Sequence, residues 1–170
     1  MRWAAVAGGV AAVVLGSAGL VRAAIPQHES TGSGAPGTIS VSGAYVRAPA
    51  PPTDAAAAYF TVYNTTGQDD RLTQVVSGAG ATSTLHVESG GSMVAAANGL
   101  VIPAHGSVVL STGKGHVMIE HLFDKLTAGQ TVNLELDFRT AGPIDVVAPV
   151  IALGAPAPTG TAPSSSGAHS

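Results

Sequence analysis

The chain reads as all-β, a Greek-key β-sandwich or barrel, on three observations. Valine, threonine and glycine are abundant and spread along the sequence, with 22 Gly, while aromatic residues make up only 4% of it. Apolar residues recur with period two in short runs, as in strands that bury one face. Turn signals separate these runs at intervals of roughly 8–12 residues, the rhythm of sandwiches and barrels. No segment carries the 3.6-residue period of a long amphipathic helix.

Each element follows in order. TISVSGAYVRA (38–48) alternates and predicts a strand, which Pro49, Pro51 and Pro52 break. AAAAYFTVYNTTG (55–67) predicts a strand ending in a turn. RLTQVVSGAGA (71–81) predicts a strand running into a glycine-rich bend, and STLHVES (83–89) a short strand. GGSMVAAANG (90–99) is a loop or short strand, LVIPAHG (100–106) closes in a turn, and SVVLST (107–112) is another strand. GHVMIEHL (115–122) follows a Gly-Lys-Gly turn. After the TAGQ turn (127–130), TVNLELDF (131–138) places Val132, Leu134, Leu136 and Phe138 on one face. DVVAPVIAL (145–153) is the last strand.

The flanks differ in composition. Residues 1–24 begin with Arg2 and continue uncharged from Trp3 to Val21, with small residues around Val21-Arg22-Ala23 suited to cleavage. They read as an export signal, with an uncleaved membrane anchor as the alternative. Either reading places the rest of the chain outside the cytoplasm. Residues 25–37 form a flexible linker, 38–153 the domain, and 154–170, rich in Pro, Ser, Gly and Thr, a tail expected to be disordered.

Composition excludes several functions. Charged residues are 10% of the chain and the net charge is −3, with no basic stripe, so no nucleic-acid partner is expected. There is no cysteine, which removes disulfides, thiolate metal sites, a cysteine nucleophile and lipoprotein acylation. Asp69-Asp70 reads as a polar turn pair, and Ser164 to Ser166 lie in low-complexity sequence, so no catalytic group stands out.

The chemistry sits in GKGHVMIEHL (113–122). The chain has only six His and three Met, and here His116 and Met118 share one face of a strand. Two further residues can complete this half-site. His86 lies in STLHVES, and Met93 seven residues on, past two glycines that let the chain fold back. Two imidazoles and two thioethers make a neutral, soft, four-ligand set that suits Cu(I). Zn(II) more often recruits Cys or carboxylate, and Ca(II) or Mg(II) demands oxygens.

The order His86, six residues, Met93, twenty-two residues, His116, one residue, Met118 resembles the PCuAC family of extracytoplasmic copper chaperones. VIPAHG before a strand, the AGQ turn and TVNLELDF resemble it too, over roughly residues 38–151. The resemblance implies a cupredoxin-like β-sandwich and Cu(I) ligands at His86, Met93, His116 and Met118. It also implies copper delivery to the Cu(A) site of a cytochrome c oxidase subunit, with a Sco-type protein as a second partner. The first spacing is shorter than the family's, at six residues against about ten, and GKG stands where Gly-Gly-Tyr is common.

The remaining histidines are expected outside this set. His121 lies at odd spacing from His116 and reads as a surface residue or one supporting the ligands. Glu120 shares the ligand face, Glu88 lies beside His86, and His105 belongs to an exposed turn. His28 and His169, in the flanks, could capture Cu(II) at secondary sites. The expected protein is a monomer without enzymatic activity, meeting a membrane only through its N-terminal segment. A copper-sequestering protein and a metal-free cell-surface interaction module are the rival readings.

Overall fold

The computed structural model describes residues 37–159 and 164–165. The segment expected to be a leader (1–24), nearly all of the expected linker and most of the expected tail lie outside these residues. Among the described residues no helix is long and apolar enough to cross a membrane.

The described chain is built of strands: β1 Ile39–Arg47, β2 Ala56–Asn64, β3 Asp70–Ser77, β4 Gly80–Ser89, β5 Ser92–Ala95, β6 Leu100–Ile102, β7 Ser107–Leu110, β8 Gly115–Leu122, β9 Thr131–Phe138, β10 Gly142–Ile151 and the two-residue β11 Ser164–Ser165. They pair in the order β5-β4-β8-β2-β1-β10-β9-β3-β6, with β7 also on β2 and β11 on β1. All pairings are antiparallel except β1 with β10. Strands adjacent in sequence are often separated in space, as in Greek-key folds.

Alternation decides what goes inside. In β9, Val132, Leu134, Leu136 and Phe138 are all buried, as their spacing predicts. They meet Ile144, Val146, Ala148 and Val150 of β10, and Phe60 and Val62 of β2, in one core. Each large apolar side chain buried there contributes about 1.5–3 kcal/mol of transfer free energy. β8 divides by parity: Val117 and Ile119 are fully buried, while His116 and Met118 on the other face are half-buried.

Three local features depart from the sequence reading. β1 contains a bulge between Ser42 and Tyr45, at Gly43 with φ +62°. Before it, Ile39 and Val41 face the core; after it, Ala44 and Val46 do. The bulge thus reverses parity and turns Tyr45 and Arg47 to the outer face. β3 ends at Ser77 and β4 starts at Gly80, so the expected glycine-rich bend is the turn at Gly78-Ala79, and the strand expected at 83–89 begins three residues earlier. A Cβ on Gly80 would lie 2.7 Å from the Glu120 carbonyl oxygen, so glycine is what admits this close approach. The third departure is an excursion on the edge of β2. Phe60 pairs with Leu110 of β7, Ala58 pairs with Val117 of β8, and the chain between loops outward opposite Tyr59.

Asp70 anchors the far end of the fold. Its carboxylate accepts hydrogen bonds from the backbone N–H groups of Arg71, Thr140 and Ala141 at 2.7, 2.9 and 3.0 Å. Burial pushes its pKa upward, but these donors prevail and hold it below the ordinary carboxylate value. Asp69 accepts from the Ala104 N–H. Both acidic residues therefore serve turns, as the sequence suggested.

Candidate metal centre

The four candidate ligands lie on three adjacent strands, β5, β4 and β8, and on one face of them. His86 and His116 are directly opposite each other in the β4–β8 pairing. Directly paired side chains share a face with Cβ atoms about 4.5–5.5 Å apart. The two imidazoles are stacked, with ring centroids 5.2 Å apart and planes at 25°. Met118 pairs with Thr84, two residues from His86, so it lies diagonal to His86 and beside His116.

Met93 is placed differently. The β4–β5 hairpin pairs His86 with Ala95 and Glu88 with Met93. Met93 is therefore on the ligand face but two residues nearer the turn, a diagonal offset of about 7–8 Å from His86. It is also the most open of the four, at 38% exposure. The short spacing between His86 and Met93 causes the offset, because hairpin register follows turn length. Glu88 Oε1 accepts from the Gly91 N–H at 2.7 Å and stiffens that turn.

The electrostatics favour neutral donors. His86 Nδ1 is buried without a hydrogen-bond partner. Such an orphaned donor–acceptor atom is costly unless something else occupies it. Burial first, and the neighbouring His86 second, push the pKa of His116 below the usual histidine value. Its ring is therefore neutral near pH 7, with a lone pair free to bind a cation. No group of three or more His, Cys, Asp or Glu residues that could hold a metal gathers among the described residues. Two grooves of about 550 Å³ lie elsewhere, one lined by Pro49, Leu122 and Phe123, the other by Arg71 and Arg139.

Gly115 sets the closeness of β4 and β8. A Cβ there would lie 2.9 Å from the His86 carbonyl oxygen and 2.8 Å from Leu110 Cδ2. Lys114 O accepts from the Glu88 N–H at 3.0 Å, and Ser111 O accepts from the N–H groups of Lys114 and Gly115 at 2.9 and 3.1 Å. The Gly-Lys-Gly loop is thus tied to β4 just beside His86.

The sequence reading missed a row of aromatic rings leading into this site. Tyr59 lies 6.2 Å from the His116 ring at 50°, and Tyr45 stacks on Tyr59 at 5.1 Å and 23°. The Arg47 guanidinium covers Tyr45 at 5.6 Å. The signal was present: Tyr59 has the opposite parity to the core residues Ala58 and Phe60. The other histidines stay apart. His105, φ +52°, is exposed in its turn. His121 has φ +53° and is exposed; the left-handed backbone swings it off the core face, where a regular strand would have put it. His28 and His169 lie outside the described residues.

The fold is a cupredoxin-like β-sandwich, similar to solved PCuAC domains. The similar solved structures include the copper-bound PCuAC domain from PmoF2, with 26% identity and a TM-score of 0.59, covering 70% of this chain and 97% of that one. Another is the solution structure of CuI-DR1885 from Deinococcus radiodurans, with 27% identity and a TM-score of 0.57, covering 73% and 84%. The apo PmoF2 PCuAC domain, at 24% identity and a TM-score of 0.61 over 71% and 95%, shares the fold. No curated protein matches the chain significantly. The chain belongs to the LpqE-like family, described as "Putative lipoprotein LpqE-like", whose profile matches residues 39–150. These 170 residues contain no cysteine, so none of them can carry the thioether-linked lipid of a lipoprotein.

Proposed function

We propose that this protein is an extracytoplasmic copper chaperone that binds one Cu(I) through His86, His116, Met118 and Met93. The observation that carries the reading is the buried, unpartnered Nδ1 of His86, a residue paired across the sheet with His116 and sharing its face with Met118. The likeness to a copper-bound PCuAC domain supports it. Copper is the cargo. The two imidazoles and the Met118 thioether form the inner part of the site, and the more open Met93 completes it from the edge strand. A face of neutral donors suits a monovalent soft cation and leaves room for an incoming ligand to displace one donor at a time. The acceptor in this reading is a cuproprotein outside the cytoplasm, the Cu(A) site of cytochrome c oxidase first among them.

The test is an anaerobic Cu(I) titration of the full chain against a chromogenic chelator, beside His116→Ala. One-to-one binding in the wild type, weakened by at least a hundredfold in the variant, is expected. Weak binding, unchanged in His116→Ala, would overturn the proposal. Transfer of bound copper to an apo Cu(A) fragment then separates delivery from storage: copper that stays put would make the protein a sequestering one.

A further inference from the structure

We propose that Tyr59, backed by Tyr45 and Arg47, is the positioning residue of the copper site: it fixes the His116 ring by aromatic packing. This rests on the copper reading above. Metal-binding histidines are ordinarily oriented by a hydrogen bond from the second ring nitrogen to a carboxylate or carbonyl. Here two other rings lie against the His116 ring, those of His86, stacked at 5.2 Å, and Tyr59, tilted at 6.2 Å. Glu120 shares the His116 face, but it pairs across β4 with Thr82, four residues from His86. Glu88, the other nearby carboxylate, is engaged by the Gly91 N–H.

The row is built to be stiff. Tyr59 and Tyr45 are only 8% and 7% exposed although they lie on the outer face of the sheet, because each covers the next. They are directly paired across β1 and β2, an arrangement that depends on the Gly43 bulge. Arg47 closes the far end over Tyr45. Its Nη1 also donates to the carbonyl oxygens of Leu153 and Ala155, which limits the swing of the guanidinium. On the β2 edge, Tyr59 sits where the chain loops out between β7 and β8. No backbone pairing with β7 or β8 is made there, and ring contact takes its place. A ring held this way keeps His116 in one rotamer before copper arrives. Binding then loses little side-chain entropy to ordering the ligand.

The experiment compares wild type, Tyr59→Phe and Tyr59→Leu, with Tyr45→Leu as a milder perturbation of the same row. Each is titrated anaerobically with Cu(I), and its copper coordination is read by X-ray absorption. Thermal unfolding of the apo forms reports the fold. Tyr59→Phe keeps the ring and should match the wild type in affinity and in coordination. Tyr59→Leu should bind Cu(I) about tenfold or more weakly, with altered nitrogen scattering. Tyr45→Leu should shift both readouts in the same direction by less. Should Tyr59→Leu fail to fold, Tyr45→Leu against Tyr59→Phe decides. The proposal is overturned if a folded Tyr59→Leu binds as the wild type does, if Tyr59→Phe loses as much as Tyr59→Leu, or if Tyr45→Leu leaves both readouts unmoved. A wild type that binds no copper would instead refute the copper reading itself.

Discussion

Gly115→Ala tests whether the spacing of the two histidine strands is set by backbone contact. The added Cβ would stand 2.9 Å from the His86 carbonyl oxygen, where ordinary contact begins at 3.4 Å. About half an ångström of separation between β4 and β8 must therefore be found. The carbonyl oxygen belongs to a paired strand and cannot step aside alone. The second neighbour, Leu110 Cδ2 at 2.8 Å, belongs to a residue buried at 3% exposure. Overpacking of this kind costs about 1–3 kcal/mol. With a urea dependence of about 1–3 kcal/mol/M for a domain of this size, the midpoint should fall by roughly 1 M. Because the shift falls on His86 itself, Cu(I) affinity should fall about tenfold as well. Gly113→Ala is the control in the same loop. It has φ +84° but nothing within 4 Å of its Cβ position, so it pays only backbone strain of about 1–2 kcal/mol. Its copper affinity should stay within about threefold of the wild type, since the change leaves the paired strands where they are. Urea unfolding of the apo protein and chelator titration measure both quantities. A Gly115→Ala protein with the wild-type midpoint, or one less stable but unchanged in affinity, would refute the reasoning.

Further expectations concern the ligands and the fold. Met118→Ala should weaken Cu(I) binding far more than Met93→Ala, because Met93 is offset and exposed; equal losses in the chelator titration would contradict the offset. Asp70 contributes to the pH dependence of stability below about pH 4. Its folded pKa lies below the ordinary 3.8, so its stabilisation is full above that value and fades as pH falls through the lower folded one. Asp70→Asn should cost about 1–3 kcal/mol near pH 7 and flatten the decline of urea midpoints below pH 4; parallel profiles for the two proteins would exclude this role.

Much of this was legible in the sequence, for physical reasons. Strict alternation in TVNLELDF and in HVMI fixes faces without knowledge of partners, so the β9 core and the common face of His116 and Met118 followed directly. Pairing between strands is a different matter. That His86 faces His116 depends on β4 and β8 being neighbours, which resemblance implied and alternation alone does not. The position of Met93 depends on hairpin register, which pairs it with Glu88 and leaves Ala95 opposite His86. The row through Tyr45 and Tyr59 needed a bulge as well as a register; the parity of Tyr59 was visible, but the place of Tyr45 was hinted at by no more than a glycine inside an alternating run. His121 escaped strand logic because one left-handed residue ends its regularity.

The bulge at Gly43 makes the spelling of β1 a reading frame. Ahead of it odd-numbered residues face inward; behind it even-numbered ones do. Removing Gly43 itself would leave ISVSAYVR, which alternates without interruption and keeps Ala44 and Val46 inward and Tyr45 and Arg47 outward. Flattening the bulge at unchanged length would instead send Tyr45 and Arg47 toward the core and bring Ala44 and Val46 out to water. The proposed copper site is thus exposed to a lesion in a strand carrying none of its four ligands: a β-branched residue at position 43, strained at φ +62° and at home in a regular strand, would strip the wall from behind His116.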